Sequence, residues 1–177
     1  MMSVKALLAI APLPFALAAC QTMGNPDAGR LAEATLYQAN GLPAGTAQIY
    51  RAGDEARITV ALAGLPEGKH GLHLHTVGSC IAPDFKSAGG HLNPEDHEHG
   101  SLNPQGKHLG DLPNIDVAAN GTGTISATLS EPAAEAMRHI LDSDGTAIVV
   151  HAGADDYKTD PAGDAGARIA CGEVTAV

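Results

Sequence analysis

Turn residues cut this chain into short pieces: 21 Gly and 11 Pro interrupt its 177 residues, and β-branched side chains gather in the brief runs between them. With 3% aromatics and no Trp, that punctuation favours an all-β sandwich or barrel in which helix is scarce. Candidate strands are 32–38, 45–51, 56–62, 69–76, 114–118, 123–129, 146–151 and 168–175. Asn120-Gly121 predicts a hairpin between two of them. Ser130 as an N-cap with Pro132 in the first turn predicts one short helix ending near His139. Two long stretches, 77–113 and 152–167, lack strand character; irregular loops of that length in a compact domain usually carry function.

The length suits a single domain, residues 31–177, once two N-terminal pieces are set aside. Residues 1–19 read as an export signal: Lys5, an apolar stretch from Ala6, then Leu17-Ala18-Ala19 before Cys20. This segment resembles a bacterial lipoprotein signal, which implies cleavage before Cys20, a lipid on its thiol and residence in the periplasm or cell envelope. Gln21 then favours the outer membrane. Ordinary signal-peptidase cleavage at the same Ala-rich stretch is the alternative. Residues 20–30, with Gly24, Pro26 and Gly29, suit a flexible tether. A formal net charge of -10 without any Lys/Arg cluster excludes a nucleic-acid footprint.

An odd cysteine count in an exported chain needs an explanation. Acylation of Cys20 supplies one and leaves Cys80 and Cys171 as a natural disulfide pair; two unrelated buried thiols are the other reading.

Histidine placement is the strongest functional signal. His73 and His75 alternate with Leu72 and Leu74, so in a strand the leucines face the core and the imidazoles face outward. With His151, they form an all-nitrogen set suited to copper. His91, His99, His108 and Asp111 on the first long loop suit tetrahedral zinc, although solvated surface histidines have the same spacing. His70, His97 and His139 are read as surface residues without a role.

Five segments together resemble the copper/zinc superoxide dismutases of the bacterial exported type. They are Gly71-Leu72-His73-Leu74-His75-Thr76-Val77-Gly78-Ser79-Cys80, Ser87-Ala88-Gly89-Gly90-His91-Leu92-Asn93-Pro94, and His108-Leu109-Gly110-Asp111-Leu112-Pro113-Asn114, followed by residues 149–157 and 163–172. The resemblance implies a flattened eight-stranded antiparallel Greek-key barrel with two long functional loops. It places copper on His73, His75, His91 and His151, and zinc on His91, His99, His108 and Asp111, with His91 as the shared ligand. It makes Asp155 the carboxylate linking His73 to His99, and Arg168 the anion-guiding residue. The implied activity is disproportionation of superoxide to dioxygen and hydrogen peroxide by a Cu(II)/Cu(I) cycle in which His91 moves a proton. Lys107 and Lys158 are candidates for adding to the local field, and the family allows a homodimer. Ala162 and Thr76 depart from residues common in other branches, and neither removes a ligand. A copper-binding or metal-buffering protein without turnover would use the same histidines, but has no need of Arg168 or Asp155.

Overall fold

The computed structural model describes residues 29–177, so the signal segment and Cys20 lie outside the described residues. Among the described residues nine strands occur in chain order, the first three being β1 (Arg30–Gln38), β2 (Pro43–Ala52) and β3 (Glu55–Leu62). They are followed by β4 (Gly68–His70), β5 (Leu72–His75), β6 (Ile115–Val117), β7 (Gly123–Pro132), β8 (Thr146–His151) and β9 (Arg168–Ala176). The one α-helix among them, α1 (Ala133–Ile140), leads from β7 towards β8.

Seven strands form a single antiparallel sheet in the order β5-β8-β9-β1-β2-β3-β7, which curls into a half-barrel. The short pair β4-β6 stands between its two edges, because β4 runs into edge strand β5 and β6 leads into edge strand β7. The run expected as one strand, 69–76, is therefore split at Gly71. A Cβ there would come within 2.8 Å of the Ala165 Cβ, and the Gly71 carbonyl accepts from the His151 amide at 2.8 Å. Lacking a Cβ lets residue 71 pass close under the second long loop while the chain changes sheets.

Asn120-Gly121 does make the tight turn, with Gly121 at φ 79° and the Ala118 amide donating to the Thr122 carbonyl at 2.9 Å. The turn is a corner rather than a ladder hairpin, since β6 pairs with β4 and β7 with β3. The helix also starts later than the expected Ser130 cap. β7 continues through Pro132, which pairs with Glu55 and is itself the N-cap residue without a side-chain cap bond. Proline cannot donate to a further ladder, so strand gives way to helix there.

Alternation fills the barrel. Ala56, Ile58, Val60 and Leu62 point inward from β3, meeting Leu36, Ile49, Leu72, Leu74, Ile148 and Val150 in one core. β8 is buried on both faces: Ala147 and Val149 pack instead against Phe85, Ala88 and Cys171 beneath the first long loop. β5 is likewise buried along its whole length. Its leucines take the core as expected, but His73 and His75 face away from that core without reaching solvent, because the two long loops cover them.

Candidate metal centre

The β5–β8 ladder sets Leu72 opposite Val150 and His73 opposite Val149, so the ladder places the β5 imidazoles beside the end of β8 that carries His151. The first long loop then crosses β5 through isolated bridges, His75 to His91 and His73 to Asp111. In this way His73, His75, His91 and His151 converge, with one donor atom of each within 4.8 Å of the others. A second set, His91, His99, His108 and Asp111, meets the same limit and shares His91 with the first.

Hydrogen bonds fix which nitrogen of each ring is free. His73 Nε2 donates to Asp155 Oδ2 at 2.9 Å, His75 Nδ1 to the Gly89 carbonyl at 3.0 Å, and His151 Nδ1 to the Gly166 carbonyl at 3.0 Å. His91 Nδ1 faces Asp111 Oδ1 at 2.9 Å. The remaining nitrogens, His73 Nδ1, His75 Nε2, His91 Nε2 and His151 Nε2, are buried without a partner. Polar atoms seldom stay buried and unpaired, and these are four neutral imidazole donors of the kind that hold copper. Burial keeps them neutral: it lowers His73 to about 3, His75 to about 2 and His151 to about 4, and also lowers His91.

In the second set, Nδ1 of His91, His99 and His108 approach one oxygen, Asp111 Oδ1, at 2.9, 3.1 and 3.1 Å. Ligand atoms about 2.0–2.2 Å from a tetrahedral zinc lie about 3.3 Å apart, so these three separations approach the edge length of such a tetrahedron. Asp111 Oδ2 meanwhile accepts from the Gly100 and His108 amides at 2.9 and 3.0 Å. Burial opposes ionisation of this carboxyl, but the bonds from His108, His91 and His99 outweigh it and hold the group far below the usual range. Burial also pulls His99 down, yet its bonds to Asp111 and Asp155 lift it to about 9.

Asp155 stands between the two sets, accepting from His73 Nε2 on Oδ2 and from His99 Nε2 on Oδ1 at 3.0 Å. Residues that sequence reasoning passed over hold it there. Asn114 clasps the Asp155 backbone with two 2.8 Å bonds, and the Tyr157 amide donates to Oδ1 at 2.6 Å. Gly163 is needed too: at φ +63°, a Cβ on it would fall 1.8 Å from Asp155 Oδ1 and 2.7 Å from His99 Nε2. Only the folded loops reveal that closeness.

Arg168 lies opposite His151 in the β8–β9 ladder, beside the β-bulge there. Its guanidinium donates to the Phe85 and Gly89 carbonyls, both at 2.6 Å, and Gly89 is also the anchor of His75. Both carbonyls belong to the loop tied to β9 by the Cys80–Cys171 disulfide, which Glu173 Oε1 reinforces by accepting from the Cys80 amide at 3.0 Å. Beyond Arg168 opens a cavity of about 440 Å³ lined by Pro83, Asp84, Lys86, Gly166 and Ala167. The lysine at this mouth is Lys86, a residue without a sequence signal. Lys107 instead turns inward and donates to the Asp111 carbonyl at 3.0 Å. His70, expected at the surface, is 2% exposed, with its ring between the His151 and Pro66 carbonyls at 2.8 and 2.9 Å.

A curled antiparallel β-sheet whose covering loops build two adjoining nitrogen-rich pockets, joined through one imidazole and one carboxylate, defines a two-metal β-barrel protein. The sequence pattern of the family described as copper/zinc superoxide dismutase (SODC) matches residues 43–174. A copper-zinc superoxide dismutase of Caulobacter vibrioides is 43% identical over 147 residues, 81% of this chain and 84% of that protein. A superoxide dismutase-like protein of Bacillus subtilis is 46% identical over 111 residues, 60% of this chain and 56% of its own length. The crystal structure of a SOD-like protein from that organism superposes with a TM-score of 0.73 at 39% identity, covering 80% of this chain and 96% of the other. The chain belongs to the copper/zinc superoxide dismutase family, which brings copper and zinc as cofactors and superoxide dismutation as its enzyme class.

Proposed function

We propose that this protein disproportionates superoxide at a coupled centre in which His73, His75, His91 and His151 hold copper while His91, His99, His108 and Asp111 hold zinc. The observation that carries this reading is His91 itself: its Nε2 is buried and unpaired within one donor set while its Nδ1 faces Asp111 in the other. Copper, when bound, supplies one-electron exchange with superoxide. The chain's own residues do the rest. Arg168, fixed by the Phe85 and Gly89 carbonyls at the inner end of the cavity, offers a held cation to a small anion. His91 is placed to carry a proton on Nε2 and pass it to the reduced oxygen species. Asp155 and Asp111 fix the rings of His73, His99 and His91, so the donor nitrogens are aligned before a metal arrives.

The similarity to a superoxide dismutase-like protein favours one other reading, metal binding without turnover. The half-buried, braced guanidinium of Arg168 speaks for catalysis, because storage does not call for an anion site. Superoxide consumption by protein loaded with both metals tests this directly. Rapid consumption that disappears on copper removal is expected, and inactivity with both sites filled would leave the buffering reading standing.

An envelope role rests on the sequence alone. We infer acylation at Cys20 with outer-membrane anchoring, and Cys20→Ser should shift the protein from the membrane to the soluble fraction. Unchanged fractionation would refute the anchor.

A further inference from the structure

His151 stands where its strand loses part of its ladder. The β5–β8 register, with His73 opposite Val149 and Leu72 opposite Val150, continues to Gly71 opposite His151. In a regular antiparallel pair such residues exchange both N–H···O bonds. Here only one is made. The His151 amide donates to the Gly71 carbonyl at 2.8 Å, but the Gly71 amide donates to the Gly153 carbonyl at 2.7 Å. On its other side His151 sits at the register shift between β8 and β9. The ladder thus deprives a buried carbonyl, that of His151, of the Gly71 amide, and a buried carbonyl left unpaired is costly.

The His70 ring takes the place of that amide. His70 is 2% exposed, and its Nδ1 lies 2.8 Å from the His151 carbonyl oxygen. Its Nε2 lies 2.9 Å from the carbonyl of Pro66, in the turn between β3 and β4. Leu65 beside that turn residue belongs to the main core, and the His70 backbone pairs with Ile115 of β6. The ring is therefore set by the barrel and not by the long loops.

We propose that His70 is a positioning residue for copper: its Nδ1–H replaces the missing ladder bond and fixes the peptide that follows the His151 Cα. The proposal rests on the assignment of His151 to the copper set. The bond from His151 Nδ1 to the Gly166 carbonyl orients the ring, whereas His70 holds the backbone from which that ring extends. His73 and His75 lie within the β5–β8 ladder and need no such support.

Two amide substitutions separate the two ring contacts. His70→Asn keeps an amide donor near the Nδ1 position, serving His151 and giving up Pro66. His70→Gln, one methylene longer, reaches the Nε2 position and gives up His151. Both are compared with the parent as zinc-loaded protein, with Cu(II) affinity read by competition with a chelator and copper geometry by electron paramagnetic resonance. His70→Gln should weaken copper binding about 10-fold, the lower end of the loss usual for an outer partner of a metal site, and should alter the Cu(II) spectrum while zinc affinity stays the same. His70→Asn should keep the parent's copper affinity and spectrum, although both variants lose ring packing and should unfold at lower temperature. A purely structural role would move the two variants alike. Equal copper affinity in both, or a parent spectrum in His70→Gln, overturns the proposal; should His70→Gln fail to fold, an altered spectrum in His70→Asn does so. His151→Ala checks the assignment beneath it. Undiminished copper affinity in that variant would remove His151 from the copper set, whereas a loss there with none in His70→Gln removes only the role of His70.

Discussion

Single residues decide the centre by choosing which atom of each ring faces a metal. Arg168 is held by two carbonyls rather than by an acid, so its charge remains available to an anion. Arg168→Ala should slow superoxide consumption and flatten its dependence on ionic strength while metal content stays the same, since steering by a local charge fades with screening. An unchanged rate at low salt would remove the guiding role. Gly163 makes a different prediction. Gly163→Ala forces its new methyl into Asp155 Oδ1, so Asp155 must release His73, His99 or both. The expected outcome is a loss of metal affinity of about 10- to 100-fold, read by competition with a chelator, in a protein that remains folded.

At the scale of elements, the long loops are ordered by what they cross rather than by strand pairing of their own. The first is tied to β5 by bridges at His73 and His75, and to β9 by the disulfide, whose Cα atoms are 5.7 Å apart and which spans 91 residues of sequence. Cys171→Ser should lower unfolding free energy by about 2–4 kcal/mol, the typical contribution of a bridge closing a long loop. Because Phe85 and Gly89 ride on that loop, the same variant should lose anion affinity at Arg168, seen as weaker inhibition by small anions. Stability falling without any change in inhibition would separate the disulfide from the guanidinium. Strand legibility followed the same physics. β3 was readable because it alternates, one face in and one face out. β4 and β5 read as one strand over 69–76, since the break at Gly71 answers to Ala165 far along the chain. The Asn120-Gly121 turn was recognisable from its dipeptide, but which sheet each flanking strand joins depends on partners distant in sequence.

For the whole molecule, the two donor sets differ in protonation before any metal arrives. His73, His75 and His151 have folded values of about 3, 2 and 4, below the unfolded 6.5, so they are neutral near pH 7. His99, at about 9, is protonated there. Copper entering the metal-free protein should release almost no protons and zinc about one, from His99; filling both sites should add about one more as His91 loses its last ring proton. Calorimetry in buffers of different ionisation enthalpy counts these protons. Stability follows the same signs: the copper-set imidazoles contribute fully above pH 6.5 and lose that contribution as pH falls towards their folded values. His99 contributes fully below 6.5 and loses its share as pH rises through about 9. Thermal unfolding of the metal-free protein should therefore peak near neutrality, and a steady rise into alkali would contradict the assignment. By itself the sequence determined the β class, the order of the candidate ligands and the family, because periodicity, turn chemistry and motif spacing are local properties. Only the tertiary structure decided that His73 and His75 are sealed from water, that His70 is interior, and that Lys86 rather than Lys107 stands at the mouth beside Arg168. It also placed the His70 ring against the His151 carbonyl. Burial and the meeting of side chains from distant segments arise only when the loops close over the barrel, and no local pattern encodes them.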